Sequence, residues 1–147
     1  MKRTLFLAAL LLGACSKPAP DGKPDILIAT AWARETVPGQ TGTAAYMKIA
    51  NFGQGEDKLL SVSADPPGTA TVHQTSNEGG ISKMRPLSDG LVIPARQSVT
   101  LDPGSTHIMV MGLKAPLKPG DILKLRLKFE RSGEMQVDAL VTGPEGP

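Results

Sequence analysis

The chain has 147 residues, with 16 Lys and Arg, 14 Asp and Glu, two His, one Cys and six Met. That length supports one domain with a substantial core and leaves little for a second. Lys2 and Arg3 fall in a leader-like segment; without them the charges balance at 14 of each sign, which argues against a nucleic-acid partner.

Residues 1–14 have the layout of a secretory signal peptide. Lys2 and Arg3 give a positive start, Leu5 to Leu12 an apolar run too short to span a bilayer, and Gly13-Ala14 a small-residue junction. Leu12-Gly13-Ala14-Cys15 resembles the bacterial lipobox, in which the cysteine is acylated and becomes the first residue of the mature protein. The expectation is a periplasmic lipoprotein held to a membrane through Cys15. Residues 16–24, with three prolines, read as a flexible tether after that anchor. No later segment approaches the roughly 20 apolar residues of a membrane helix. Cys15 is the only cysteine, so an internal disulfide and thiol–disulfide chemistry are both excluded.

From residue 25 onward, short β-like runs alternate with Gly, Pro, Asn and Asp. The patterning predicts strands over 26–34, 43–50, 58–64, 69–75, 81–85, 97–101 and 106–111. Two more follow at 123–129 and 135–139. The clearest is Leu123-Lys124-Leu125-Arg126-Leu127-Lys128-Phe129, apolar at odd positions and charged at even ones, so one sheet face collects every apolar group. Arg131-Ser132-Gly133-Glu134 then supplies a hairpin turn. No segment carries a sustained helical stripe, and 16 glycines and 13 prolines lie between the runs. The expected architecture is a single all-β domain over 25–142, an antiparallel sandwich or barrel, with 143–147 a frayed, disordered tail. Met47, Met135, Trp32 and Tyr46 read as core residues.

The two histidines each have a methionine placed to join them. In His107-Ile108-Met109 the imidazole and thioether share a strand face, while Ile108 and Val110 take the other. His73 ends a predicted strand, and the turn-rich residues 74–81 let the chain double back to bring Met84 beside it. Two imidazoles and two thioethers form a soft, neutral set suited to Cu(I) and poor for Mg²⁺, Ca²⁺ or Zn²⁺. Met111 shares the His107 face and reads as packing. Arg85 reads as either a docking residue or a solvated charge.

The spacing His73-x10-Met84-x22-His107-x-Met109 resembles the signature of the periplasmic copper chaperone family PCu(A)C. Ala31-Trp32-Ala33-Arg34, the Gly42–Asn51 run with Ala45-Tyr46, Met84-Arg85-Pro86 and Met109-Val110-Met111-Gly112-Leu113 extend the likeness over residues 25–141. The resemblance implies a cupredoxin-like fold, one Cu(I) on those four residues, and delivery to a copper-accepting protein. That acceptor would be the CuA subunit of cytochrome c oxidase or another periplasmic copper chaperone. Some members have methionine after the first histidine, where this chain has Gln74. Copper storage or tolerance, and a metal-free β-sandwich interaction module, are the alternatives. A blue-copper electron carrier needs a cysteine thiolate in the domain, which is lacking. No Gly-x-Ser-x-Gly or other nucleophile–base motif points to an enzyme.

Overall fold

The computed structural model describes residues 22–65 and 68–147. The segment expected to be a leader, residues 1–14, and Cys15 lie outside these residues. Ten strands and no helix are described: β1 (Ile26–Arg34), β2 (Gly42–Asn51), β3 (Asp57–Asp65), β4 (Gly68–Glu78), β5 (Ile81–Pro86), β6 (Leu91–Ile93), β7 (Ser98–Leu101), β8 (Thr106–Met111), β9 (Ile122–Phe129) and β10 (Gly133–Thr142). The all-β, single-domain expectation holds.

Seven strands close into a barrel in the order β4-β8-β2-β1-β10-β9-β3 and back to β4. Strands β5, β6 and β7 lie outside the ring, on β4, β3 and β2 respectively. Every pairing is antiparallel but one, the parallel β1/β10 pair with Trp32 opposite Leu140. An odd number of strands cannot alternate direction all the way round a closed ring, so one parallel seam is required. The chain places it where its first and last strands meet.

Alternation builds the core. Leu123, Leu125, Leu127 and Phe129 of β9 are at most 2 % exposed, while Lys124, Arg126 and Lys128 face solvent. The outward charges meet opposite signs on β10, Lys124 across from Asp138 and Lys128 across from Glu134. Met47 and Ile49 of β2 and Ile108 and Val110 of β8 complete the interior. Met135 is only half-buried and packs against the core edge.

Two buried polar side chains lock the loops. Asn51 accepts from the N–H groups of Asp25 (3.0 Å) and Gly53 (2.9 Å) and donates to the carbonyls of Gly55 (2.8 Å) and Ile93 (3.2 Å). Asp57 accepts from the N–H groups of Lys58 (2.8 Å), Arg131 (2.9 Å) and Ser132 (2.9 Å), tying β3 to the β9/β10 hairpin turn. Neither leaves a buried polar group unpaired, which is what makes its burial affordable.

Several sequence expectations need correction. β6 escaped notice because three apolar residues before Pro94 are too short to show a period. β4 runs past residue 75 to Glu78, and the reversal is confined to Gly79-Gly80, both at positive φ (63° and 82°). That is the two-residue glycine turn whose twist suits a hairpin. The last tether residues are held down: Gln54 N–H donates to the Lys23 carbonyl (3.0 Å) and Arg131 to the Gly22 carbonyl (2.6 Å). Residues 143–146 form a turn, Gly146 N–H to Gly143 carbonyl (3.2 Å), with Gly146 against the Trp32 ring.

One irregularity positions the aromatic residues. Between Ala29 and Trp32 the β1/β2 register slips by a residue, with Thr30 at φ 49°. A bulge of this kind reverses which face later residues take. Ile26 and Ile28 pack inward before it and Ala31 and Ala33 after it. Trp32 is therefore turned to the outer face.

Candidate metal centre

The inward positions of β8 and β4 determine what points outward. Ile108 and Val110 are fully buried, which sends His107, Met109 and Met111 to the outer face of β8. Ala70 and Val72 face the core from β4, which sends Thr71, His73 and Thr75 outward. The two strands pair with His73 directly opposite His107, Thr71 opposite Met109 and Thr69 opposite Met111. The imidazoles lie 6.2 Å apart between centroids, tilted by 29°.

Met84 reaches the same patch from the side. The Gly79-Gly80 hairpin sets Met84 opposite Thr75, and Thr75 lies two residues from His73 on one face. Met84 is thus diagonal to His73, where neighbours sit roughly 7–8 Å apart between Cα atoms. Three adjacent strands bring His73, Met84, His107 and Met109 onto one outer patch. Burial is graded across it: His107 is 5 % exposed, His73 and Met109 are half-buried, and Met84 is 53 % exposed. Met111 is likewise outward and 47 % exposed, with its sulfur over Gly42, where a Cβ would lie 2.5 Å from it.

Each imidazole has one nitrogen engaged. His107 Nδ1 lies 3.0 Å from the Ser105 carbonyl, which can only accept, so Nδ1 carries the proton in the neutral ring and Nε2 keeps the lone pair. His73 Nε2 lies 2.8 Å from Thr71 Oγ1, and its Nδ1 is buried with no hydrogen-bond partner among the described residues. Burial first, then the neighbouring His107, holds the His73 pKa below the usual histidine value. A neutral ring with Nε2–H turned to Thr71 presents an unshared Nδ1 lone pair. Among the described residues no three His, Cys, Asp or Glu cluster to suit a metal, so a carboxylate-rich centre is absent there.

Tyr46 is buried as the sequence suggested, 4 % exposed, whereas Trp32 is only half-buried. The Tyr46 ring lies 6.4 Å from His107 and 4.4 Å from Trp32. Arg34 stands over the Tyr46 ring at 5.8 Å. The rings of His73, His107, Tyr46 and Trp32 thus form a row across β4, β8, β2 and β1. Thr71, Ser105 and Tyr46 escaped the sequence reading as parts of the site. The exposed Lys48, two residues after Tyr46, sets the outward phase of β2 and could have revealed Tyr46. No comparable signal marks Thr71 or Ser105, since a hydrogen bond to imidazole leaves no trace in patterning.

Comparison with known proteins identifies the family and the fold. The family profile described as "Putative lipoprotein LpqE-like" matches residues 26–141. A relative named "Putative lipoprotein Lxx21020", from Leifsonia xyli subsp. xyli, is 31% identical, covering 86% of this chain and 81% of its own length. Among solved structures, the copper-bound PCuAC domain from PmoF2 superposes with a TM-score of 0.67 at 25% identity, covering 81% of this chain and 93% of that one. The Cu(I) form of DR1885 from Deinococcus radiodurans gives 0.60 at 30% identity, covering 91% and 85%. With the profile spanning nearly the whole described domain, the chain belongs to the LpqE-like family, and its fold is that of the PCuAC domains.

Proposed function

We propose that the protein is a copper carrier that holds one Cu(I) on His73, Met84, His107 and Met109 and passes it to an accepting protein such as the CuA subunit of cytochrome c oxidase. The observation that carries this reading is the buried, unpartnered Nδ1 of His73 directly across the strand pair from His107. A buried nitrogen without a partner costs roughly 1–3 kcal/mol, which a metal bond to it would offset. Two thioethers on the same face complete a set that prefers Cu(I) to harder ions. The copper-bound and Cu(I)-bound structural neighbours support the same class of cargo.

Neutral ligands leave the ion its single charge, which a half-exposed site tolerates. His107, buried and fixed by Ser105, would hold most firmly, and exposed Met84 would leave first, so an acceptor can replace ligands one at a time. No residue in this scheme acts as nucleophile, acid or base; the role is carriage. In the same reading Cys15 is the lipid anchor and the carrier works at a periplasmic membrane surface.

Competition titration with Cu(I), or with Ag(I) in its place, tests the site. Met109→Leu keeps volume and apolar character, with a folding cost below about 1.5 kcal/mol, while removing the sulfur. One equivalent should bind to the parent and to Met135→Leu, and binding should weaken sharply in Met109→Leu. Equal binding by Met109→Leu and the parent would remove the proposed site.

A further inference from the structure

Strand β5 has a place in the fold that core packing does not explain. All six of its residues are exposed, whereas β6 and β7, the other strands outside the ring, each turn a residue into the core. One edge of β5 is paired along its whole length with β4. The other edge is the terminus of the sheet, and nothing pairs with it among the described residues.

The direction of the free backbone groups follows from the ladder. Thr75 N–H donates to the Ser105 carbonyl on the β8 side (3.2 Å) and therefore points away from β5. In antiparallel sheets such groups alternate, so the Thr75/Met84 and Asn77/Ser82 pairs are the non-hydrogen-bonded ones. The N–H and C=O of Ser82 and Met84 are then aimed outward from the open edge. Pro86, which has no N–H, falls at the next such position and caps the row. The one strand of the site with an open backbone edge thus offers that edge at Met84 itself. Lys83 and Arg85 share the opposite face of β5, with Lys83 held to Glu78 (2.9 Å) and Arg85 without an acidic partner among the described residues.

We infer that the open edge of β5 is the docking edge for the copper acceptor, which adds an extended segment as a further strand hydrogen-bonded to Ser82 and Met84. Strand addition satisfies backbone groups that water otherwise covers, and alternate side chains give specificity. The matching segment has acidic side chains on the Arg85 face and a copper-binding side chain on the Met84 face. This inference deepens the carrier reading above, because it places the incoming ligand beside the most exposed outgoing one.

The test uses the Cu(I)-loaded protein and a soluble apo CuA domain as acceptor. Amide hydrogen exchange at Ser82 and Met84 should slow by about tenfold or more in the complex, while Ile81, Lys83 and Arg85 are slow already. Ser82→Pro removes an outward N–H without touching the β4/β5 bonds; it should bind Cu(I) as the parent does and transfer it about tenfold more slowly. Arg85→Glu should slow transfer and weaken its salt dependence. Parental transfer by Ser82→Pro, or unchanged exchange at Ser82 and Met84 in the complex, overturns the docking edge and leaves copper binding intact. Protection that rises with protein concentration alone assigns the edge to a second copy and overturns it too. Failure to bind Cu(I) before any acceptor is added is the separate result that removes the carrier reading itself.

Discussion

His73 Nδ1 is one of two buried side-chain nitrogens or oxygens left without a partner among the described residues, the other being Arg34 Nε. Its availability depends on Thr71, whose hydroxyl engages the opposite ring nitrogen. Groups that orient a ligating histidine are typically worth about 10–100-fold in metal affinity. Thr71→Ala should therefore weaken Cu(I) binding by roughly tenfold or more, with Thr71→Ser close to parental, as read by competition titration. Circular dichroism should be unchanged, because Thr71 is exposed. The lowered His73 pKa has a consequence for acid. Proton and metal compete for the same lone pair, so a depressed pKa moves that competition to lower pH. Cu(I) affinity should fall as pH drops below the ordinary histidine value of 6.5. An affinity flat down to about pH 4 would show that the imidazoles are not ligands.

Much of the geometry of the candidate site was legible because strands repeat every two residues: His107-Ile108-Met109 fixes its own shared face, and β9 announces itself by strict alternation. What stayed hidden depended on register. Trp32 shares a phase with Ile26 and Ile28 in the sequence, and the bulge at Thr30, which no composition signal marks, turns it outward. The position of Met84 relative to His73 depended on where within residues 74–81 the turn fell. Gly79 and Gly80 settle it, and each occupies a left-handed conformation costing other residues about 1–2 kcal/mol. Because β5 buries no side chain, Gly79→Ala with Gly80→Ala should leave the melting temperature of the barrel nearly unchanged while loosening the arm that carries Met84. Cu(I) affinity should drop with little loss of stability. A large fall in melting temperature would mean that β5 supports the barrel after all.

For the whole molecule, the groups that stabilise the fold and the proposed copper site are spatially divided. The barrel is closed by the β1/β10 seam and clamped through Asp57, whereas the site lies on the outer face of β4, β5 and β8. Burial would raise the Asp57 pKa, but hydrogen bonds from Ser132, Arg131 and Lys58 outweigh it and hold it below the ordinary carboxylate value. A depressed folded pKa gives stability that is complete above the unfolded value and is lost as pH falls through the folded one. Urea denaturation should therefore show a fall in stability between roughly pH 5 and 2 that Asp57→Asn lacks. At neutral pH Asp57→Asn should cost about 1–3 kcal/mol, since an amide NH₂ would face the Ser132 N–H that the carboxylate accepts. Cu(I) binding by the folded variant should be retained, because Asp57 does not reach the site. The central claim is the ligand set, and X-ray absorption at the copper edge of the Cu(I)-loaded protein counts it directly. Two imidazole nitrogens and two thioether sulfurs are expected, with one sulfur lost in Met109→Leu; a first shell without sulfur, or one unchanged in Met109→Leu, would contradict it.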